Sequence, residues 1–222
     1  MNGSRGLGPL TPYHPPSLQA LKTYNVNRPG QVEVIWQPTY DFQVYPAAGI
    51  TQLTFFQTTV GTAGSTLATT NMEASGQFPR PKEFLVTGIQ VFFEPGGAVA
   101  QAQVSDGIAQ ENWNDVSDVM NGAAFLRFFI GSKDYLVDAP LSKFTQQFRL
   151  GGVANITGNG SVATTTFINY AVHSGKYYSI TPTKLPSNQN FNVSLNFPVV
   201  IATEEDGNIG VLLDGFQYRL SQ

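Results

Sequence analysis

Short segments in which apolar and polar residues alternate run through most of this chain, and this pattern restricts it to β structure. The clearest case is residues 191–197, where apolar side chains at odd positions alternate with amide and hydroxyl side chains at even positions. Such a period of two places one face of a strand in a core and the other in water. Further strands are predicted at residues 50–60, 84–93, 125–130, 135–137, 147–150, 164–172, 177–181 and 209–220.

Residues 32–44 form another alternating segment. Its apolar residues occupy even positions, which predicts a buried even face and a wet odd face carrying Glu33 and Asp41. Pro38 interrupts the segment. Because proline has no backbone N–H, we expect this strand to lie at a sheet edge or to be split at Pro38.

Residues 84–93 are apolar at almost every position, which predicts a strand covered on both faces. An unbroken alternation would put Leu85 and Ile89 on one face and Phe84 and Val86 on the other. Such a strand belongs in a sandwich whose outer face is itself packed against something.

One helix is expected at about residues 108–120, with Ser105 or Asp106 as its N-cap and Gly122 just past its end. A single helix among many strands is not an α/β pattern. Connections longer than hairpin turns interrupt the strands, which favours Greek-key wiring.

The fold predicted from these patterns is all-β: an antiparallel β-sandwich, a single jelly roll with one short inserted helix and an extended N-terminal arm. We expect residues 1–30 to form the arm and residues 31–222 to form the jelly-roll domain. The long connections are predicted at residues 61–82 and 96–104.

The arm is rich in glycine and proline and carries three basic residues with no acidic one, so its charge is +3 while the remaining chain carries −6 of the total −3. A solvated tail would not need its many apolar side chains, which favours contact with a neighbouring subunit; a loose chain end is the open alternative. The subunit contacts predicted here are Leu7, Leu10, Tyr13, Leu18 and Tyr24, with Trp113 of the helix added to them. The predicted genome contacts, weak and non-specific, are Arg5, Lys22 and Arg28.

Residues that carry catalytic or metal chemistry are scarce. The chain has no cysteine and two histidines, His14 and His173, and it lacks the common hydrolase and phosphate-binding motifs. The acidic run Glu204, Glu205 and Asp206 favours a solvated turn over a Ca²⁺ site, because Ca²⁺ loops alternate their ligands. We predict no enzyme, no cofactor and no metal; a two-carboxylate hydrolase stays open because such pairs meet only in space.

Charged residues make up 12% of the chain, against about 25% in ordinary soluble domains. Interfaces are depleted in charge and enriched in aromatic residues, and the chain has 16 Phe, 9 Tyr and 2 Trp. We therefore expect copies of the chain to cover part of its surface. Its apolar runs are too short for a transmembrane segment, and its first 16 residues lack the apolar region of a secretory signal.

The passage TNMEASGQFPRPKEFLVTGIQVFF at residues 70–93 and the ending GVLLDGFQYRLSQ resemble the jelly-roll major capsid proteins of small tailless icosahedral viruses, bacteriophages in particular. In that family a proline-containing entry, here Pro79 and Pro81, leads into a long early strand, and the last strand closes a sheet near the C-terminus.

The resemblance implies a structural virion protein that self-assembles into an icosahedral capsid shell enclosing the genome. It implies location in the virion after assembly in the host cytoplasm, with trimeric or pentameric capsomers of the chain and other virion proteins as partners. The alternative is a carbohydrate-binding or adhesion β-sandwich module that presents aromatic rings to sugars.

Overall fold

The computed structural model of the chain describes residues 32–96, 108–144, 148–151, 169–172 and 178–220, with the backbone alone at a few of them. The predicted arm, residues 1–30, lies outside the described residues. The elements are β1 (Val32–Trp36), β2 (Thr39–Tyr45), β3 (Gln52–Phe55), β4 (Glu83–Glu94), α1 (Ile108–Asn121), β5 (Phe125–Ile130), β6 (Lys133–Pro140), β7 (Phe148–Gly151), β8 (Asn169–Val172), β9 (Tyr178–Leu185), β10 (Phe191–Asn196) and β11 (Gly207–Leu220).

Two antiparallel sheets form a sandwich. The larger sheet has the order β1-β11-β4-β9, with β2 pairing with β11 beside β1. The smaller sheet has the order β3-β10-β5-β6, and β7 pairs with β8 separately. The prediction of an all-β sandwich with one inserted helix is therefore confirmed.

The wiring of the sandwich is nested. Leaving out β1, β7 and β8, the first strand pairs with the eighth (β2 with β11), the second with the seventh (β3 with β10), the third with the sixth (β4 with β9) and the fourth with the fifth (β5 with β6). This nesting arises when an eight-stranded hairpin wraps around a core, and it is the jelly roll.

Phenylalanine rings fill the space between the two sheets. Phe78, in the connection after β3, stacks on Phe84 of β4 at 5.3 Å and on Phe191 of β10 at 5.2 Å between ring centroids. Phe56 packs against the same Phe191 at 5.5 Å. This cluster joins both sheets and the long connection of residues 56–82 into one core.

The prediction about residues 32–44 was half right. The strand is split at Pro38, as expected. β1 lies before Pro38 and β2 after it, and both pair with the same edge of β11. The predicted orientation was wrong, because the odd face points into the sandwich, where Asp41 is 1% exposed and Tyr45 is buried, and the even face points outward.

Hydrogen bonds stabilise the carboxylate of Asp41 inside the sandwich. Asp41 Oδ2 accepts a bond from the backbone N–H of Phe56 at 2.6 Å and one from Gln43 Nε2 at 3.3 Å. Its backbone forms a bridge with Thr70. Asp41 thereby joins β2, the end of β3 and the long connection, a role that an apolar side chain at this position would not perform.

Burial raises the pKa of Asp41, and the bonds from Phe56, Gln43 and Thr70 offset only part of that effect. A carboxyl group whose pKa is higher in the folded state stabilises the fold below its unfolded pKa, and this contribution is lost as the pH rises through the folded pKa. We expect Asp41→Asn to flatten this loss above about pH 4, the pKa of an unfolded aspartate, since the neutral amide keeps an acceptor for Phe56 N–H. Urea unfolding at several pH values measures it.

Asp41→Ala is the contrasting variant, because it removes the acceptor and leaves the buried N–H of Phe56 unbonded. It should lower the free energy of unfolding by about 1–3 kcal/mol at every pH. An Asp41→Asn profile parallel to the wild-type profile would show that Asp41 does not cause the pH dependence.

β4 is buried at almost every position, as its apolar sequence predicted, but its alternation is not unbroken. The pairing of β4 with β11 shifts between Val86 and Gly88, which leaves Thr87 as an extra residue. This bulge changes the phase, so Phe84 and Val86 lie on the same inner face as Ile89. Leu85 faces outward into a small separate cluster.

The remaining predictions for elements hold with changed bounds. The helix extends one residue further than expected, to Asn121, and Gly122 follows it; the predicted N-caps lie outside the described residues. The predicted strand 50–60 is shorter, because the chain leaves the sheet at Phe56, where φ is +70°. The strands predicted at 135–137 and 177–181 are longer.

Candidate interaction surface

The outward side of the larger sheet carries a row of apolar side chains, which we call the outer apolar face. Trp36 is 70% exposed and Val44 is 60% exposed, and half-buried residues surround them. The members of the face are Val34, Trp36, Tyr40, Phe42, Val44, Phe92 and Leu212. Single exposed apolar residues are ordinary on proteins, but contiguous ones mark interaction sites.

Trp36 is held in a defined orientation although its ring is exposed. Its indole Nε1 donates a hydrogen bond to Asp214 Oδ1 of β11 at 3.0 Å. In the strand register Trp36 lies opposite Phe216, which forms a small buried cluster with Leu85 and Tyr218. The ring is therefore presented to the surroundings with little freedom to turn away, which lowers the entropy cost of a contact.

Phe42 and Phe92 form the second part of the face. Their ring centroids lie 6.1 Å apart, and Tyr40 meets Phe42 edge-on at 6.2 Å. Gly210 of β11 lies between the two phenylalanines in the register. A Cβ at Gly210 would come within 2.2 Å of the Phe42 ring, so the glycine lets this ring lie against the strand.

The backbone edge of β2 is already occupied. Phe42 N–H donates to Thr69 O at 2.7 Å, and Asn71 N–H donates to Tyr40 O at 3.3 Å. Asn71 Oδ1 accepts a bond from Tyr40 N–H at 3.0 Å. Covering an edge strand in this way prevents edge-to-edge pairing. A partner at β2 would therefore meet the side chains of the outer apolar face and not its backbone.

Charges on this face are few. Among the described strand residues that point outward, Glu83 forms an ion pair with Lys184 at 2.8 Å, Glu94 is exposed, and Asp214 is buried and bonded to Trp36. The described part of the face is thus apolar and slightly acidic at its surface. Such a surface favours an apolar partner with some basic character.

A polar cavity of about 200 Å³ opens at the end of the sandwich near Gln37 and Gln217. The carboxylate in its lining belongs to Glu73, which forms an ion pair with Lys82. A glycosidase needs two carboxylates on either side of its substrate, and this cavity provides one that is already neutralised.

A scan of protein-family models, a search of curated proteins and a search of solved structures each found no match. The outer apolar face is therefore assigned from geometry alone. Among the described residues, no helix is long and apolar enough to cross a bilayer.

The residues predicted as contacts are mostly not placed. Leu7, Leu10, Tyr13, Leu18 and Tyr24 lie outside the described residues, as do Arg5, Lys22 and Arg28 and both histidines. Trp113 lies in α1, and at this position the structure describes the backbone alone. The contacts predicted from these residues stay predictions.

The acidic run at 204–206 lies in an exposed bend, in agreement with the predicted solvated turn. Asp206 Oδ1 accepts a bond from Ala47 N–H at 2.7 Å, and Glu204 N–H donates to Asp115 of α1 at 3.1 Å. Asp206 thus connects the bend to Ala47, and Glu204 connects it to α1. In the described part of the chain, no group of three or more His, Cys, Asp or Glu side chains is placed to hold a metal ion.

Sequence reasoning missed Trp36 and Val44 because it assigned the even positions of residues 32–44 to the core. A signal was present in Tyr45, whose large apolar side chain continues the odd series of Thr39, Asp41 and Gln43. The buried polar network around Asp41, which decides the orientation, involves residues far away along the chain.

Proposed function

We propose that this chain is the structural subunit of a closed protein shell, the icosahedral capsid of a virus, and that its outer apolar face is a contact between subunits. The observation that carries the proposal is the exposed apolar row of Trp36 and Val44 on a jelly-roll sandwich whose sequence is poor in charge. Enclosure of a genome, location in the virion and trimeric or pentameric capsomers belong to the same proposal.

The free energy gained by covering this face is sufficient to stabilise a shell. Covering the exposed parts of Trp36 and Val44 would remove on the order of 200 Å² of apolar surface from water, about 5 kcal/mol before the entropy cost of association. A single contact of this size gives a weak dimer. A closed symmetric assembly repeats it on every subunit, so weak contacts suffice for a stable shell.

The sandwich suits this role mechanically. Its two sheets share one core, and the connection of residues 56–82 is bonded along β2 and packed into the core through Phe78. A rigid block loses little conformational entropy when it joins an assembly, which favours association at low concentration.

A carbohydrate-binding or adhesion module is the second candidate, and the fixed orientation of the Trp36 ring favours it specifically. An exposed aromatic ring stacks on the apolar face of a sugar. Monomers that bind a glycan array through Trp36, and lose this binding in Trp36→Ala, would support the module and count against the shell.

Val44→Glu tests the proposal, since it would bring a carboxylate into the contact. We expect the wild-type chain to form closed particles by light scattering and negative-stain microscopy. Val44→Glu should raise the protein concentration required for assembly at least about tenfold, because a charge buried without a partner costs several kcal/mol.

Val44→Thr is the matched control, because it keeps the β-branched shape and adds no charge; it should assemble at a concentration between those of the wild type and Val44→Glu. Thermal unfolding of both variants should match the wild type, since Val44 is exposed in the subunit. A wild-type chain that stays monomeric at high concentration in ordinary buffer would contradict the shell. Val44→Glu shells at the wild-type concentration would remove this face from the contacts.

A further inference from the structure

We infer that the outer apolar face receives the N-terminal segment, residues 1–31, of a second copy of the chain. This inference rests on the proposed function, because it requires copies that meet in an assembly. It adds the identity of the partner on each side of the contact: a proline-rich segment from one subunit and the face around Trp36 and Val44 on the next.

The reach of the segment is the first argument. It joins the described domain at Val32, whose strand pairs with the last residues of β11, so it leaves from the margin of the larger sheet. Thirty-one residues span up to about 100 Å when extended. A domain of about 190 residues is roughly 40 Å across, so the segment is long enough to cross onto a neighbour.

The chemistry of the segment is the second argument. Five of its first 30 residues are prolines, which lack a backbone donor and favour the polyproline conformation. Polyproline segments bind surfaces lined by aromatic rings, and the face offers the rings of Trp36, Phe42 and Phe92. The leucines and tyrosines of the segment supply the apolar area that such a surface covers.

Charge is the third argument. The segment carries +3 with no acidic residue, while the described outward residues of the sheet include the exposed carboxylate of Glu94. Complementary charge fixes the orientation of a partner and speeds its approach. A segment of the same apolar content but negative charge would be repelled here.

A second copy is the better source of the segment than the same chain. To cover Trp36 and Val44 of its own sheet, the segment would have to run back alongside β1, which it directly precedes. A segment from another copy arrives without that reversal. Exchange between copies also links subunits, which a segment folded back on its own domain does not.

Cysteine cross-linking tests the inference, because the chain contains no cysteine and each variant therefore carries one thiol at a known position. A size tag on one variant distinguishes the mixed dimer from the two symmetric dimers. Full-length Leu10→Cys is mixed with full-length Val44→Cys, and disulfide-linked dimers are followed under mild oxidation. Leu18→Cys replaces Leu10→Cys in a second series. Val199→Cys is the matched control for Val44→Cys, because Val199 is 66% exposed and lies in the connection between β10 and β11, outside the set of residues that forms the face.

We expect at least one of the two segment positions to cross-link to Val44→Cys about tenfold faster than to Val199→Cys. Equal rates at both valines in both series would overturn the inference. At high dilution the double variant Leu10→Cys/Val44→Cys should form internal disulfides no faster than Leu10→Cys/Val199→Cys, because a free tether closes on both positions alike. Selective internal closure on Val44→Cys would show that the segment binds its own face and that the inference is wrong.

Microscopy of the same samples separates this inference from the proposed function. Closed shells without selective cross-links would retain the shell and remove the docking of the segment. Selective cross-links between copies that form no shell would retain the docking and remove the shell.

Discussion

Replacing Gly215 by alanine is expected to lower the stability of the domain strongly. Gly215 lies in β11 at the bulge, opposite Val86, where the two strands approach closely. An added Cβ would lie 2.0 Å from the backbone oxygen of Leu85 and 3.1 Å from the ring of Phe84. Backbone atoms in the middle of a sheet cannot rotate away as a side chain does, so the strands must separate.

The expected loss in the free energy of unfolding is about 3 kcal/mol or more, a large part of the 5–15 kcal/mol typical of a domain. Urea denaturation measures the loss if the variant is soluble, and the soluble fraction after expression measures it otherwise. Gly64→Ala is the matched control: an added Cβ meets nothing within 4 Å there, although φ is +80°. It should cost only about 1 kcal/mol. Equal losses in the two variants would show that the close approach at Leu85 does not matter.

Replacing Phe191 by alanine is the second change with a large expected effect. Phe191 lies on β10 at the centre of the aromatic cluster, where it touches Phe56 of the long connection and stacks on Phe78. Its removal leaves a cavity bordered by both sheets, and Phe→Ala changes in cores cost about 3–5 kcal/mol.

Phe191→Leu fills part of the cavity and should cost less than half as much in the same urea experiment. If both variants assemble into shells at the wild-type concentration, the loss is confined to the stability of the subunit and does not reach its contacts. Equal stability of the wild type and Phe191→Ala would contradict the central place of this ring.

Much of the fold was predictable because it depends on local patterns. The alternation in residues 191–197 specifies a strand, and the helix follows from its apolar spacing and from Gly122 beyond its end. Long connections between short strands predicted nested wiring. Each of these features depends on residues that are close together in the sequence.

The outer apolar face was harder to predict because it depends on which face of residues 32–44 is buried. Residues 32–44 alternate equally well with either face inside, so the pattern names two faces without deciding which is buried. Asp41 faces inward because Phe56 N–H meets it there, and Phe56 is 15 residues away along the chain. No window of the sequence contains that partner in a recognisable spacing.

The sequence by itself determined that this chain forms strands, the α-helix α1 and a sandwich with little charge. Tertiary structure alone decided that Thr87 bulges from β4 and that Trp36 and Val44 face outward. The physical reason is that periodicity sets the faces of a strand through its own geometry, whereas burial depends on the groups that the rest of the chain brings against each face.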